Sequence, residues 1–234
     1  MSEVPERVKA VLDSLGGAPM RDWPGDAFDR LGMMNPFTTG NLLQWRRALD
    51  ETRGMRGCVI ECGTYRGESI APLGWLMRED GDGRHLYGFD SFLGFPEIKR
   101  EDESDAGYLG RSPAYFARTS QADVQHFVDA LGLSDRITLV GGFFDETLPK
   151  TDVGDVSVLI LDCDLYDSYH SCLRELYPKV QRGGWILFDE YFNKKYPGAR
   201  RAVDEFFADK PEKPMRDERL FATDPFERWY VVKA

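Results

Sequence analysis

Two groups of residues in this 234-residue chain have the types and spacing to do chemistry. The first is Val59-Ile60-Glu61-Cys62-Gly63-Thr64-Tyr65-Arg66-Gly67-Glu68-Ser69, a short apolar run that ends in an acid, followed by a Gly-x-x-x-Gly turn and a helix-like segment. Such a junction sets backbone N–H groups and a carboxylate beside one small ligand. Glycine is required where the backbone turns sharply or approaches a ligand closely. Asp90 follows Gly67 by 23 residues. An acid there, at the end of a second strand, can accept both hydroxyls of a ribose. The spacing Glu-x-Gly-x-x-x-Gly lacks the close approach that Gly-x-Gly-x-x-Gly offers a pyrophosphate. Glu61 would repel phosphates but tolerates a sulfonium and an amino group, so S-adenosylmethionine fits better than NAD. The second group is Asp162, Asp164, Asp189 and Glu190. Asp162 and Asp189 end adjacent strands, so their carboxylates could converge, and three oxygen ligands from such strand ends suit Mg²⁺, which keeps waters and accepts substrate oxygens. Such an ion lowers the pKa of a bound sugar or phenol hydroxyl, and a nearby carboxylate can take the proton. The plainer reading is a set of solvated strand-end acids, with Asp164 capping the helix that begins near Tyr166.

The elements that must position these groups alternate. Strand-like runs fall at 58–61, 85–90, 137–140, 156–162 and 185–189, and helix-like runs at 69–78, 121–131, 166–180 and 199–207. That order predicts a doubly wound, mostly parallel α/β sheet with helices on both faces. Two extended runs, 219–223 and 228–232, flank Asp224-Pro225-Phe226 and read as an antiparallel hairpin. A parallel sheet finished by a hairpin is the Rossmann-like architecture of class I methyltransferases. In an open parallel sheet ligands bind beyond the carboxyl ends of the strands, and every predicted strand end here is polar. Residues 1–55 are helical in character, at 4–15 and 39–52, and are expected to cap the substrate site or an oligomer contact; residues 56–234 form the cofactor-binding domain. The polar insert 99–112 is a candidate mobile lid or substrate loop.

Composition narrows the class. Forty acids against 30 bases give a net charge of −10, which disfavours a nucleic-acid backbone as partner. No apolar run approaches the roughly 20 residues of a membrane span, and residues 1–15 are charged and mixed, unlike a signal peptide. Cys58, Cys62, Cys163 and Cys172 fit no zinc spacing, and they read as reduced, buried thiols of a cytoplasmic protein. A homo-oligomer acting on a small-molecule hydroxyl acceptor is expected.

Taken as an ordered set, several blocks resemble the macrocin O-methyltransferase (TylF/MycF-like) family across roughly residues 40–210. They are Glu61-Cys62-Gly63-Thr64-Tyr65-Arg66-Gly67, Phe89-Asp90-Ser91-Phe92-x-Gly94-Phe95-Pro96, Gly142-Phe143-Phe144-Asp145-Glu146-Thr147-Leu148-Pro149 and Asp162-Cys163-Asp164-Leu165-Tyr166-Asp167-Ser168. Tyr177-Pro178-Lys179-Val180, Gly183-Gly184, Asp189-Glu190-Tyr191 and Pro197-Gly198-Ala199 complete the set. The resemblance implies a metal-dependent enzyme that methylates hydroxyls of sugars and related groups in natural products. It implies that Glu61, Gly63 and Gly67, with Thr64 and Ser69 of the same turn, line the methionine part of the cofactor. Asp90 would hold the ribose with Ser91 and Phe92 beside it, and Gly142, Phe143 and Asp145 would edge the adenine. Asp162, Asp189 and Glu190 would hold Mg²⁺, with Asp162 also beside the cofactor and serving as the base. The family usually carries two aspartates where this chain has Asp189-Glu190, and the longer glutamate arm changes the ligand geometry. Cys163 stands where a glycine is frequent and reads as a packing residue.

His85 reads as structural or exposed, and His126 as a base only if its helix borders the site. Tyr191, Phe192 and Tyr196 are an acceptor wall or a cover for the sheet edge. Arg200 and Arg201 are a nucleotide-sugar diphosphate contact or a solvated helix face. Three rival readings remain at this point: a nucleotide-binding oxidoreductase, a non-catalytic subunit on a methyltransferase fold, and an O-methyltransferase for phenols or catechols.

Overall fold

The computed structural model describes residues 36–218 and 227–234. Helix α1 (Pro36–Glu51) leads into β1 (Cys58–Cys62), α2 (Ile70–Glu79), β2 (Leu86–Asp90), α3 (Gln121–Ala130) and β3 (Ile137–Gly141). A single turn, α4 (Phe144–Thr147), precedes β4 (Val156–Leu161), α5 (Tyr166–Leu176), β5 (Val180–Phe188) and α6 (Pro197–Phe206). Two short strands, β6 (Met215–Arg216) and β7 (Trp229–Val232), follow.

The strands form one sheet in the order β3-β2-β1-β4-β5-β7-β6. The first five are mutually parallel, and β7 runs antiparallel to both β5 and β6. The predicted fold class therefore holds, a mostly parallel sheet with an antiparallel C-terminal end. The hairpin itself differs in detail. The partner of β7 is Met215–Arg216, continued by the Asp217 N–H donating to the Arg228 carbonyl at 2.7 Å. The predicted first arm, 219–223, and the 4–15 helix lie outside the described residues.

Buried parallel strands read as continuous apolar runs because both faces are covered. Successive residues of β4 show the split: Val158 and Ile160 point to the α1, α2 and α3 side, and Leu159 and Leu161 to the α5 and α6 side. Leu42, Trp45, Ala48 and Leu49 of α1 belong to the first of these cores together with Val59 of β1. The β5 strand begins at Val180, earlier than the predicted 185, with a bulge against β4 between Val180 and Trp185; Gly183 in that bulge has φ +82 with open space around it, a conformation glycine adopts without strain. The helix predicted to reach 180 ends at Leu176, with a 3₁₀ turn at Tyr177–Lys179 where Pro178 cannot continue the hydrogen-bond ladder.

The strand order reverses beside β1. The chain leaves β1 towards β2 and β3, then crosses back to β4 on the other side. That switch point, at the carboxyl ends of β1 and β4, is where open α/β sheets hold ligands.

Candidate functional site

Gly63 follows β1 and Asp162 follows β4, and the two segments touch. The Asp162 N–H donates to the Cys62 carbonyl at 3.0 Å, and any Cβ at Gly63 would fall on the Asp162 carbonyl. With φ +97 as well, the position admits glycine alone. Gly67 serves packing instead: its missing side chain leaves room for Val124 of α3, whose Cγ1 a Cβ would meet at 2.8 Å.

Asp90, at the end of β2, is held by two backbone donors. The Tyr65 N–H reaches Oδ2 and the Phe92 N–H reaches Oδ1, both at 2.7 Å. Burial raises its pKa, and these N–H groups oppose the shift by stabilising the charge. With the Thr64 N–H also directed at it, the carboxylate is oriented while it still faces the cavity as an acceptor. Thr64 carries a buried Oγ1 without a hydrogen-bond partner, and the buried Glu61 carboxyl has only the Ser69 side chain near enough to oppose its burial. Burial pushes Glu61 up to about 8, reinforced by Asp90 and Asp189. Orphaned buried polar atoms are rare and mark places where a partner is missing.

The described residues with positive φ other than glycine are Tyr65, Phe92 and Asp164. One follows each of β1, β2 and β4. Left-handed backbone in non-glycine residues persists where the surroundings over-determine it, and it gathers at functional sites.

A cavity of about 500 Å³ opens over these strand ends. Of the residues singled out from the sequence, Gly63, Thr64, Ser69, Asp90, Ser91, Phe143, Asp145 and Asp162 line it. Glu61, Gly67, Phe92 and Gly142 do not reach its wall. Glu61 is wholly buried, Phe92 packs into the core, and the Gly142 N–H is tied to the Asp90 carbonyl at 3.0 Å. The Ser91 hydroxyl donates to the Gly94 carbonyl at 2.7 Å, which makes it a turn residue as well as a wall residue.

The acids also come together, in a different set from the one expected. Asp162, Asp164 and Glu190 each place a carboxylate oxygen within 4.8 Å of the others. Asp189, which the sequence placed among the ligands, stands beside this trio rather than in it: it is the foremost charged neighbour of all three acids, and Asn41 Nδ2 donates to its Oδ1 at 2.7 Å. Burial pushes the carboxyls of Asp162 and Glu190 well above the ordinary range, and their neighbouring acids add to it. Asp164 is pushed up to about 8, by burial first and then by Asp189. Glu190 is oriented from behind by Tyr169, whose hydroxyl lies 2.6 Å from Oε2 and 2.8 Å from the Leu161 carbonyl. The donor set is three crowded carboxylates, Asp164 and Glu190 buried and Asp162 half-buried, with no described Lys or Arg neutralising them. It fits a hard divalent cation, which such oxygens bind and which relieves their repulsion. Asp164 does not cap α5; Asp102 of the insert does, its Oδ1 accepting the Tyr166 N–H at 2.7 Å.

Other expectations resolve simply. The four thiols are free and buried, with Cys163 pushed up to about 12 by burial. His85 bonds Thr138 far from the cavity, and His126 does not line it. Tyr191 covers the sheet, 6% exposed and bonded to Asp204. Tyr196 reaches the insert, accepting the Arg111 N–H at 3.1 Å. Arg200 and Arg201 lie on an exposed face of α6 and do not line the cavity; Arg201 binds the carbonyls of Glu101 and Glu103 at 2.8 and 3.3 Å, and the Arg200 guanidinium lies 5.2 Å from the Tyr191 ring.

Several wall residues were missed. Asn41 and Trp45 of α1 line the cavity, as do Asp167, His170, Ser171 and Arg174 of α5. Their spacings, i and i+4 in α1 and i, i+3, i+4 and i+7 in α5, put each set on one helix face. That periodicity was the available signal.

The sequence profile of the macrocin-O-methyltransferase (TylF) family matches residues 6–219. A demethyldecarbamoylnovobiocin O-methyltransferase of Streptomyces niveus is 31% identical over 198 residues, 80% of this chain and 71% of that one. A mycinamicin III 3''-O-methyltransferase of Micromonospora griseorubida is 32% identical over 158 residues, 65% and 61% of the two chains. The solved structure of the O-methyltransferase NovP superposes with a TM-score of 0.72 at 27% identity, covering 84% of this chain and 80% of that one. CalS11, a calicheamicin methyltransferase, gives 0.68 at 23% identity over 99% and 94%, which shows the shared fold.

Proposed function

Since the chain belongs to the macrocin O-methyltransferase family and is an S-adenosylmethionine-dependent O-methyltransferase, we propose that its acceptor is a sugar hydroxyl on a small natural product and that the reaction needs Mg²⁺. One observation carries the reading. Asp162 and Asp164, two of three crowded acids, open onto the same cavity as Gly63 and Asp90 of the donor site. The relatives' names point the same way, since one acts at a 3'' position of mycinamicin III and another on a dimethoxy-rhamnosyl tetracenomycin.

Asp90 would hold the ribose, and the 63–69 turn the methionine end. Phe143 and Asp145 would edge the adenine. Asp162, Asp164 and Glu190 would hold the cation, which when bound supplies positive charge to orient the acceptor hydroxyl and lower its pKa. In the transfer an oxygen lone pair forms the new C–O bond as the methyl C–S bond breaks with its electrons going to sulfur. The hydroxyl proton passes to Asp162 or Asp164, the two acids of the trio that line the cavity. Tyr169 keeps Glu190 aimed, and Asn41 keeps Asp189 turned towards α1. Catalysis here is chiefly positioning and charge stabilisation.

A panel of glycosides, nucleotide sugars and phenols, read by S-adenosylhomocysteine release before and after chelation of divalent ions, tests both parts. Turnover with a glycoside that chelation abolishes is expected. Preference for a catechol would overturn the acceptor class, and full activity after chelation would overturn the cation.

A further inference from the structure

The N-terminus of α5 is the mechanical base of the acidic turn, and its own sequence does not cap it. The first N–H groups of any helix need acceptors from outside the ladder, and these usually come from an Asp, Asn, Ser or Thr just before the first turn. Here the N-cap position is Leu165, which has no side-chain oxygen. Asp164 stands one residue earlier with φ +60, and its N–H points back to Glu190 Oε2 at 3.4 Å. The missing acceptor arrives from 64 residues upstream. Asp102 of the insert is 1% exposed; its Oδ1 accepts the Tyr166 N–H at 2.7 Å and its Oδ2 the Lys99 N–H at 3.1 Å.

The surroundings are built for that carboxylate. Gly198, in the first turn of α6, leaves the space it fills: a Cβ there would land on Asp102 Oδ1 and would come within 3.0 Å of the Tyr166 nitrogen. Arg201, one helical turn further, binds the carbonyls of Glu101 and Glu103 on either side of Asp102. A negative charge at a helix N-terminus is favourable on its own account. Three segments distant in sequence, the insert, α5 and α6, therefore meet at the Asp102 side chain, whose contact Tyr166 is two residues from the strained Asp164.

We infer that Asp102 is a positioning residue for methyl transfer: it caps α5 from outside and so fixes the Asp162-Cys163-Asp164 turn, making the insert a strut of the acceptor site. The inference rests on the reading of that turn as the acceptor site. It assigns the insert a task that a free lid would not have, since the same segment that reaches Tyr196 through Arg111 also holds the acids still.

The test breaks the contact from both sides. Asp102→Ala removes the acceptor, and Gly198→Ala displaces it without touching Asp102. Asp102→Asn keeps one acceptor oxygen for Tyr166 and serves as the conservative variant. Amide hydrogen exchange in the ligand-free protein is expected to speed up roughly five- to tenfold at 163–168 in the Ala variants, the scale of a lost cap. Exchange in β1 and β2 should stay within about twofold, and Asp102→Asn should fall between. With an acceptor that the wild type methylates, kcat should fall about tenfold in Asp102→Ala while the donor KM holds within about twofold, as expected for misplaced reacting groups. Unchanged exchange at 163–168, exchange that rises equally in every strand, or faster exchange with unchanged kcat would each overturn the positioning role. The exchange arm needs no acceptor, so it decides on the cap even if the wild type methylates no hydroxyl, an outcome that would instead overturn the proposed reaction.

Discussion

Glu61 is wholly buried, with the Ser69 side chain as its one polar neighbour opposing the effect of burial. Burial holds its folded pKa near 8 against an ordinary value of 4.5. Between those values the folded chain keeps a proton that the unfolded chain has released, so stability falls as pH rises from about 4.5 to 8 and levels off above. Asp164, also pushed up to about 8, adds to the same slope. Thermal unfolding of the ligand-free protein across this window should therefore show a falling Tm, and Glu61→Gln should flatten the fall and gain most over wild type at the alkaline end. An equal slope in the variant would mean that Glu61 is ionised in the folded chain. At this scale the donor side was legible in the sequence, because Glu61, Gly63 and Asp90 sit at fixed offsets from apolar runs. The acid set was only partly legible. Asp162 and Glu190 were expected to converge, but Asp164 joining them depends on a left-handed turn that no local pattern announces, and the contact of Asp189 with Asn41, 148 residues away, is tertiary.

The elements owe their positions to a few backbone requirements. Gly63 and Gly183 both have positive φ, +97 and +82, but they differ in surroundings. A Cβ at Gly63 would collide with the Asp162 carbonyl, whereas nothing lies within 4 Å of one at Gly183. Gly183→Ala should therefore cost only the strain of a left-handed alanine, about 1 kcal/mol. Gly63→Ala must also move β1 from β4 and should cost at least about 3 kcal/mol by denaturant unfolding. Similar costs at the two sites would show that the β1–β4 contact is not tight. Strand and helix types were readable from apolar runs and the alternation between them. Their ends were less so: β5 starts five residues before the predicted 185 because Gly183-Gly184, which looks like a breaker in sequence, is carried as a bulge within the strand. The insert 99–112 read as a loop from its polarity, and its anchoring by Asp102 and Arg201 is tertiary and left no local trace.

Over the whole molecule, the division at residue 55 does not separate two cores. Leu42, Trp45, Ala48 and Leu49 of α1 are 0–3% exposed and share a core with β1, α2, α3 and β5. Arg47 of α1 lies 4.9 Å from the Trp185 ring and pairs with Asp217 beside β6. A chain beginning at residue 56 would expose these faces and leave Asp189 without Asn41. It is expected to lose cooperative unfolding, and a truncated protein with the full-length Tm would contradict this. The helical character of 39–52 was visible in its apolar spacing. That the same helix supplies cavity wall through Asn41 and Trp45 follows only from how it lies across the strand ends.

The central claim is that methyl transfer occurs at the acids beside the donor turn. The most direct measurement is single-turnover S-adenosylhomocysteine formation by Asp162→Asn and wild type, with a glycoside that the wild type methylates and with donor occupancy matched by calorimetry. The account predicts donor affinity within about threefold of wild type and a rate at least about 10³-fold lower, the combined loss of a charge-stabilising ligand and a proton acceptor. A variant that binds the donor equally well and transfers the methyl at near wild-type rate would contradict it.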